Sequence, residues 1–445
     1  MIRQLEVVRF KSLRKVQVAL EPLTILIGAN ASGKTNLLDV IRFLQGVGNG
    51  LTVREILDGR RGDATLRQWD GVRGGSQEVL YRPHNGEAPP DFLQLWQKDD
   101  RQRPWDAPGC LGIKVTLDHP IPSAPPLTTT YSLVVDPGQA AVREEWLEAD
   151  NLPVETLQWS MFSVNKDDAT PLPSRYVYDT RFQSQNYLAP VLHASLRRTG
   201  RLVEYASHQP ILSQFRGSRA GNEADEEVAV LCAKALANVQ FLNVSLDELR
   251  RYVRTGVRRL GDHGEDFASV VHAILQEPER KQAYLSWLQE LTPTHIEDID
   301  LFTAELGDVL FGVREDGVRL SARSLSDGTL RFAALAAALL GPEPPATLLV
   351  EEIENGVHPT RLRLVLELLH QASQSGPQII VTTHSPLVLA YLPPERYKNV
   401  LFVYRSPDDG STHVTPLPQV PHLMEVLQRR PVDDLFAVGW LEEAV

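Results

Sequence analysis

The chain opens with short apolar runs on either side of a loop of small residues. Leu5, Val7 and Val8 predict a first strand, and the apolar run at residues 24–27 predicts a second. Beyond the loop at residues 28–34, apolar side chains recur at helical spacing, at Leu37, Val40, Ile41 and Leu44. The amino-terminal segment therefore predicts two strands, a loop and a helix, in that order.

Two stretches between residues 112 and 136 alternate between apolar and polar side chains. The apolar positions are Ile113, Val115, Leu117, Tyr131, Leu133 and Val135. A proline-rich turn at residues 120–126 separates the stretches, and residues 142–148 predict a third, weaker strand. We expect an antiparallel β subdomain here, whereas residues 51–108 give mainly loop signals.

Residues 155–300 have a different pattern. Apolar runs at 228–236, 267–275 and 284–291 predict helices, and the first run follows the acidic residues 223–227. These runs do not form sustained heptads, which excludes a long coiled coil. The segment is therefore predicted to be a helical insertion.

Strand signals return after about residue 300. Runs at 309–313 and 318–320 flank Asp316 and Gly317, a dipeptide typical of hairpin turns. Predicted helices then alternate with buried strands, at residues 330–340, 347–350, 362–369 and 378–382. This alternation predicts an α/β fold with a parallel sheet covered on both faces.

The composition is that of a globular protein. Of the 445 residues, 42% are hydrophobic and 23% are charged, which excludes a disordered, collagen-like or rod-like chain. The length fits the expected division into residues 1–154, 155–300 and 301–445. The formal net charge of −12 excludes a wholly basic nucleic-acid coat but leaves room for a local basic patch.

Cysteine content and hydropathy indicate the cellular compartment of the protein. Cys110 and Cys232 give neither a disulfide framework nor a zinc-site spacing, so a reducing cytoplasm is expected. The first residues lack the apolar core of a signal peptide. The most apolar stretch, at 332–340, is far shorter than the roughly 18 residues that a membrane helix needs. We therefore expect no membrane association.

The loop at residues 28–35 reads GANASGKT and matches G-x-x-x-x-G-K-[ST] in full, between a predicted strand and a predicted helix. Its glycines let backbone N–H groups turn onto phosphate oxygens, and the helix N-terminus adds a positive dipole end. Lys34 is expected to reach the β- and γ-phosphates of ATP, and the Thr35 hydroxyl to ligate Mg²⁺. The alternative is an ordinary glycine turn that caps a helix.

Two acidic residues follow the predicted strand at 347–350. Glu351 is placed to hold Mg²⁺ through water, and Glu352 to orient and deprotonate the attacking water. Taken alone, two adjacent acids at a strand end usually belong to a solvated loop. The match of residues 28–35 to the nucleotide-binding motif favours a catalytic role for them instead. A long insertion separates this pair from that loop, whereas compact P-loop proteins place the acidic strand much closer.

Two further motifs flank these acids. Residues 325–329 read LSDGT just before the acidic strand, and residues 382–386 read TTHSP after the next one. At a helix N-terminus, the amides of Ser326 and Gly328 could bind a γ-phosphate, and His384 could hydrogen-bond it. Each motif alone has an ordinary explanation, a turn in the first case and a strand-end histidine in the second. Their order along the chain favours the functional interpretation.

These motifs together resemble the RecF/SMC/OLD-like branch of the ABC-class P-loop ATPases, which includes many AAA family ATPases. The resemblance covers residues 1–50 and 305–400. It rests on RFKSL at 9–13, the loop at 28–36, LSDGTLR at 325–331, EEIENGVHP at 351–359 and THSP at 383–386. Residues 434–436 and 439–441 also look like the tail of that family. The resemblance implies an ABC-type ATPase head with a parallel core sheet, an antiparallel β subdomain and the helical insertion.

The resemblance also implies residue roles, with ATP and Mg²⁺ as ligands. Glu351 is the Walker B acid, Glu352 the catalytic base and His384 the switch histidine, while Thr35 and Glu351 hold the metal. Ser326 and Gly328 contact the nucleotide of a second protomer, which makes a homodimer the expected state. Residues 355–358 occupy the D-loop region. The remaining nucleotide-binding residues implied are Gly28, Asn30, Ser32, Gly33, Lys34, Thr35, Asn36, Lys11 and Ser12.

The chain departs from the family pattern at three points. Ile353 stands where the family usually has proline. The glutamine of the Q-loop is either Gln68 or Gln77. The residues after Arg405 are too few for the TOPRIM nuclease domain of OLD-type members, so no nuclease activity is expected.

Two classes of biological role are compatible with such an ATPase. In the first, an ATP-gated dimer clamps double-stranded DNA for repair, recombination or genome defence. Five arginines in residues 250–259, with three at i, i+4 spacing, would form a basic stripe if helical. The candidates are Arg250, Arg251, Arg254 and Arg258, extended by Arg197, Arg198 and Arg201. A solvated face paired with acids is the alternative interpretation of these arginines.

In the second role, the chain is a regulatory ATPase that holds a partner effector protein, as in bacterial anti-phage systems. The acidic net charge suits a protein partner. The ATPase subunit of a membrane transporter is disfavoured, because the two adjacent acids, the His358-Pro359 dipeptide and RFKSL are typical of the RecF-like branch.

Overall fold

A computed structural model describes residues 1–62, 68–84, 86, 88–89, 91–96, 109–120, 126–150, 175–179, 191–196, 202–214, 223–291 and 295–445. The chain divides into two compact units. The first unit comprises Met1–Leu20, Ala31–Asn238 and Tyr404–Val414. The second unit comprises Glu21–Asn30, Val239–Val403 and Thr415–Val445. The boundary between them passes through the loop at residues 28–35.

The strands of the described residues are short to medium in length. They are β1 (Ile2–Phe10), β2 (Leu13–Ala19), β3 (Leu23–Ile27), β4 (Leu111–His119), β5 (Leu127–Asp136), β6 (Ala141–Asp150), β7 (Arg175–Asp179), β8 (Val191–Leu196), β9 (Leu202–Ala206), β10 (Val239–Leu242), β11 (Ile296–Thr303), β12 (Val309–Glu315), β13 (Val318–Ser321), β14 (Thr347–Val350), β15 (Gln378–Thr383), β16 (Val400–Arg405) and β17 (Thr412–Pro416).

The helices of the described residues range from a single turn to 15 residues. The helices are α1 (Lys34–Gly48), α2 (Val53–Asp58), α3 (Gly75–Glu78), α4 (Phe92–Leu95), α5 (Ile211–Gln214), α6 (Glu223–Ala237), α7 (Leu246–Leu249), α8 (Phe267–Leu275), α9 (Pro278–Leu291), α10 (Asp327–Leu340), α11 (Leu362–Ser375), α12 (Pro386–Tyr391), α13 (Leu423–Val426), α14 (Val432–Ala437) and α15 (Trp440–Glu443). No helix within these described segments is long and apolar enough to cross a membrane.

The first unit contains an antiparallel sheet in the order β2-β1-β4-β5-β6-β7-β8-β9. The alternating apolar side chains of this sheet face the core, and Ile113 and Val115 on β4 are fully buried. In the register of β4 and β5, Ile113 pairs with Leu133 and Val115 pairs with Tyr131. This confirms the antiparallel subdomain predicted from residues 112–148. In the same unit, α1 packs against α2, α5 and α6.

The description of residues 155–300 as helical needs correction. Strands β7, β8 and β9 lie in this segment and extend the antiparallel sheet, and β10 lies in the parallel sheet. These strands are short and are stabilised by pairing with neighbours, so their own pattern gives a weak signal. The predicted helices near residues 228–291 are present as α6, α8 and α9. The expected boundary at 300/301 falls inside β11, the boundary at 154/155 lies outside the described residues, and the three-part division stays a prediction.

The second unit contains parallel strands in the order β10-β14-β15-β3-β16. Every residue of β3 and β15 is buried, as expected for a parallel sheet covered on both faces. Val350 pairs with Val381, and Thr383 pairs with Ile27. The carboxyl ends of β14, β15 and β3 therefore lie side by side.

A small antiparallel sheet, β11-β12-β13, completes the second unit. Its predicted hairpin turn is confirmed, because Asp316 and Gly317 both adopt positive φ, 47° and 75°. Helix α8 packs on β12, and α10 packs against α8, α9 and α11. Ser326 caps α10, which therefore begins at the signature-like LSDGT sequence.

Candidate active site

In the first unit, the carboxyl half of the nucleotide loop has a backbone suited to anions. Ala31 and Gly33 have φ of 62° and 109°, both in the left-handed region. A Cβ on Gly33 would overlap the Thr412 side chain, so only glycine fits. Helix α1 begins at the next residue, Lys34, which is buried at 8% exposure. Such a turn at a helix N-terminus directs backbone N–H groups toward one point.

A directed chain of side-chain hydrogen bonds holds this loop. Asn36 Nδ2 donates to Ser12 Oγ at 2.6 Å, and Thr412 Oγ1 donates to the Ser32 carbonyl at 2.8 Å. The Ser12 and Thr412 hydroxyls lie 2.6 Å apart. Because Thr412 uses its only hydrogen on Ser32, Ser12 is the donor between the two hydroxyls. The loop is therefore tied to the β1–β2 turn and to β17.

A cavity of about 500 Å³ in the first unit borders the start of α1. Thr35 and Asn36 line it, and so do the cationic side chains of Lys11, Arg73, Arg82 and Arg405. Lys11 also pairs with Asp39 on α1. Burial raises the pKa of the Asp39 carboxyl, and the Lys11 ammonium opposes that shift. The excess of cations makes the cavity suitable for an anionic ligand.

In the second unit, the two predicted acids follow β14. Glu352 has a φ of 49°, an unusual conformation for a residue with a side chain. Thr382 holds it there, because the Thr382 hydroxyl accepts the Glu352 N–H at 3.0 Å. Asn355 Nδ2 donates to Glu352 Oε2 at 2.6 Å. The carboxylate is thus oriented from its own loop, while Glu351 stands beside it at the strand end.

The departure at Ile353 has a structural explanation. Ile353 is buried, and its N–H donates to the Thr382 carbonyl at 3.1 Å. Proline lacks this donor. The substitution therefore adds a hydrogen bond between the loop and β15.

The switch-histidine candidate is oriented by an acid that the sequence did not single out. Glu354 Oε1 accepts the His384 backbone N–H at 2.9 Å and lies 3.2 Å from His384 Nδ1. Since a carboxylate only accepts, this contact favours a hydrogen on Nδ1. Nε2 is then the nitrogen that can meet a ligand.

The signature residues form the start of α10 in the second unit. Ser326 Oγ accepts the Thr329 N–H at 3.2 Å and caps the helix. A Cβ on Gly328 would overlap the Gly356 carbonyl oxygen, so the helix start touches the D-loop region closely. Ser326 and Gly328 line a cavity of about 370 Å³ that is also bordered by His358 and Arg361.

The arginine segment does not form the predicted helical stripe. Residues 251–259 are not helical, because Gly256 takes a φ of 113° and Val253 pairs with Val309 through two backbone hydrogen bonds. Arg250, Arg254 and Arg258 therefore do not share a helix face.

These arginines are instead largely engaged with acids. Arg250 pairs with Asp327 at 2.7 Å, Arg251 with Glu248 at 2.6 Å, and Arg258 with Glu277 and Glu343 at 3.4 Å each. Arg254 is exposed. Arg197, Arg198 and Arg201 lie outside the described residues.

The structure groups the predicted residues by unit. Lys11, Ser12 and residues 32–36 lie together in the first. In the second unit, adjacent strand ends are followed by Gly28, Glu351, Glu352 and His384. Asn30 is exposed in this unit, and α10 begins at the segment that contains Ser326 and Gly328. Gln68 donates to Asp70 and Gln77 lies in α3, and the Q-loop choice stays open.

Three residues that hold the site were missed by sequence reasoning. They are Thr412, Thr382 and Glu354. Thr412 follows the loop by almost 400 residues, and no motif marks it. Thr382 and Glu354 lie inside quoted motifs, so their positions, but not their contacts, could have been noticed.

The residues present fit a nucleoside triphosphate and Mg²⁺. The buried Ser32 hydroxyl has no hydrogen-bond partner in the described part of the chain, which suits a group aimed at a ligand. Of the predicted metal ligands, Thr35 in the first unit offers a hydroxyl and Glu351 in the second offers a carboxylate, and both are hard oxygen donors of the kind that Mg²⁺ prefers. The assignment of individual site residues remains a prediction.

Two family models of ATPase-type domains match parts of the chain. Residues 201–390 match a family model described as "AAA domain, putative AbiEii toxin, Type IV TA system", and residues 1–55 match one described as "AAA ATPase domain". A comparison with curated protein sequences gives no match.

The solved structures that match the chain include SMC heads. One is an SmcHead bound to the C-winged helix domain of ScpA, with 13% identity, a TM-score of 0.50, and coverage of 93% of this chain and 97% of that one. Another is the SMC head domain from Thermotoga maritima, with 13% identity, a TM-score of 0.39 and coverage of 93% and 98%. A third is an Smc head bound to the C-terminal domain of ScpA derived from Pyrococcus furiosus, with 12% identity, a TM-score of 0.47 and coverage of 96% and 98%.

Proposed function

We propose that this chain, which is an ABC-class P-loop ATPase of the SMC/RecF type, hydrolyses ATP with Mg²⁺ and closes into a homodimer when ATP binds. One observation carries the proposal. Gly28, Glu351 and His384 directly follow the adjacent carboxyl ends of β3, β14 and β15. Ligands of open parallel sheets bind at such strand ends.

Phosphate binding is assigned to the nucleotide loop. The amides of residues 28–35 and the Lys34 ammonium bind the β- and γ-phosphates, and Ser12 and Asn36 keep the loop in shape. Lys11 lies in the cationic cavity beside Thr35 and can meet the phosphates from that side. Thr35 and Glu351 would hold Mg²⁺, which would supply positive charge for the transferring phosphoryl group.

Water activation is assigned to Glu352. Its carboxylate is oriented by Asn355, so it can accept a proton from the attacking water without a costly rearrangement. His384 would donate a hydrogen bond to the γ-phosphate through Nε2, because Nδ1 faces Glu354.

The dimer follows from the signature. Ser326 is exposed at the start of α10 in the single chain, where its neighbouring amides can meet the triphosphate of a second protomer. ATP would then act as the link between two copies of the chain.

The observations favour a protein as the target of this switch. Arg250, Arg251 and Arg258 are paired with acids, and the net charge is −12, so the strongest support for DNA is weakened. The SmcHead of similar fold is bound to a protein domain. Control of an effector protein, as in defence systems, is therefore favoured over a DNA clamp as the role of this ATPase.

The test is ATP turnover with and without linear duplex DNA, with Glu352→Gln as the blank. Turnover that depends on Glu352 and ignores DNA supports the protein-partner role, and an ATP-dependent pull-down from native cells should then recover a stoichiometric protein. Turnover that DNA stimulates would favour the DNA clamp. Turnover that survives in Glu352→Gln would overturn the assigned mechanism.

A further inference from the structure

Arg250 makes a set of contacts that no DNA-binding role requires. Arg250 Nη2 donates to Asp327 Oδ1 at 2.7 Å, and the guanidinium also reaches the carbonyls of Leu325 and Ala322 at 3.4 Å each. All four residues lie in the second unit. Arg250 therefore holds both the side chain of the signature turn and the backbone that leads into it.

Asp327 creates an electrostatic problem at this turn. It lies between Ser326 and Gly328, in the first turn of α10. A carboxylate there interacts favourably with the positive end of the helix dipole. The same carboxylate repels any triphosphate that approaches the turn, since both groups are anionic.

We propose that Arg250 is a positioning residue of the ATP-linked dimer: it neutralises Asp327 and fixes the signature turn, so that the triphosphate of the second protomer can approach. This inference rests on the proposed function. It gives Arg250 a part in dimer closure in place of the predicted contact with DNA.

A neighbouring arginine provides the matched control. Arg251 is next in the chain but its side chain is 65% exposed and pairs only locally with Glu248. The Arg250 side chain is 30% exposed and spans 77 residues to reach Asp327. A general loss of surface charge would affect both arginines alike, whereas the proposed role belongs to Arg250 alone.

The experiment measures dimerisation of the full chain with Mg²⁺ and ATP by analytical ultracentrifugation, in a Glu352→Gln background that slows hydrolysis. Arg250→Ala is expected to weaken the dimer about tenfold, because the Asp327 charge is left uncompensated. Arg251→Ala should leave it unchanged. Adding Asp327→Asn to Arg250→Ala should restore the dimer to within about threefold, since the uncompensated charge is removed.

Thermal unfolding and nucleotide binding by the monomer check that each variant is folded. If Arg250→Ala does not fold, Arg250→Gln replaces it, because glutamine keeps part of the stem and one donor group. A dimer that is unaffected by the Arg250 change overturns the inference alone. A double variant as weak as the Arg250 variant also overturns it, since the charge of Asp327 would then not be what Arg250 compensates. A chain that stays monomeric at every ATP concentration overturns both this inference and the proposed dimer.

Discussion

Replacing Thr412 with valine is expected to destabilise the first unit and weaken ATP binding together. Valine has nearly the shape of threonine but no hydroxyl. The change leaves the Ser32 carbonyl without its donor at 2.8 Å and the Ser12 hydroxyl without its acceptor at 2.6 Å. Both serines are buried, at 4% and 7% exposure, so water cannot easily replace the lost partner.

The magnitude follows from these two groups. A buried polar group left unsatisfied costs about 1–3 kcal/mol, and the two share one site, so a total of about 2–4 kcal/mol is expected. For a unit of this size, that corresponds to a fall in Tm of roughly 4–16 °C. The loop backbone that binds phosphate is no longer fixed, so the Kd for ATP should rise as well.

The assay combines thermal unfolding by circular dichroism with calorimetric titration of a non-hydrolysable ATP analogue. Thr412→Ser is the matched control, because serine keeps the hydroxyl and loses only a methyl group. It should retain most of the affinity for the nucleotide. The reasoning is refuted if Thr412→Val unfolds within about 0.5 kcal/mol of the wild type and binds the analogue equally well.

Three further predictions address other contacts. Gly33→Ala should cost about 2–4 kcal/mol of unfolding free energy in urea denaturation, because φ is 109° and the new methyl overlaps the Thr412 side chain; a loss below about 1 kcal/mol would contradict the packing described. Glu354→Ala should lower kcat about tenfold and add little to His384→Ala, because both act on one imidazole; additive losses in steady-state kinetics would show independent roles. Burial lowers the pKa of His119 from 6.5 to about 4. Between pH 6.5 and pH 4, His119 is therefore protonated in the unfolded chain but neutral in the folded chain. The free energy of unfolding falls as the pH drops through this range. The loss reaches about 2 kcal/mol at pH 5, and His119→Gln should remove this slope from the pH dependence of urea unfolding.

The sequence predicted those elements whose own side chains determine them. The parallel strands β14 and β15 are continuous apolar runs, and the helix at Leu37 to Leu44 repeats with helical spacing, so local pattern and tertiary environment agree. The motif order along the chain was equally informative. It identified the fold before any contact was known.

The elements that were missed depend on partners far along the chain. Residues 250–259 carry a helical spacing of arginines, but Val253 pairs with Val309 and Gly256 takes a left-handed conformation. That tertiary pairing overrides the local pattern. Strands β7, β8 and β9 are likewise stabilised by the sheet that they extend.

The candidate site shows the same division. Lys34 and Glu352 are predicted as site residues by motif, since the proposed chemistry requires those residue types at that spacing. Thr412 was not, because a single threonine late in a chain carries no signal of its contact with Ser32. Its role depends only on where the fold brings it.

The contact between Thr412 and the nucleotide loop also has a consequence for how the protein is made. Ser12 and Thr412 are separated by 400 positions in the chain, so a ribosome must add all of these residues after Ser12 before the loop can be secured. Contacts of such long range are among the slowest to form. ATP affinity is therefore expected to appear late in refolding, after most helical signal has returned, and stopped-flow mixing with a fluorescent nucleotide measures that delay. The nascent chain would then be unable to respond to ATP until Thr412 has been synthesised.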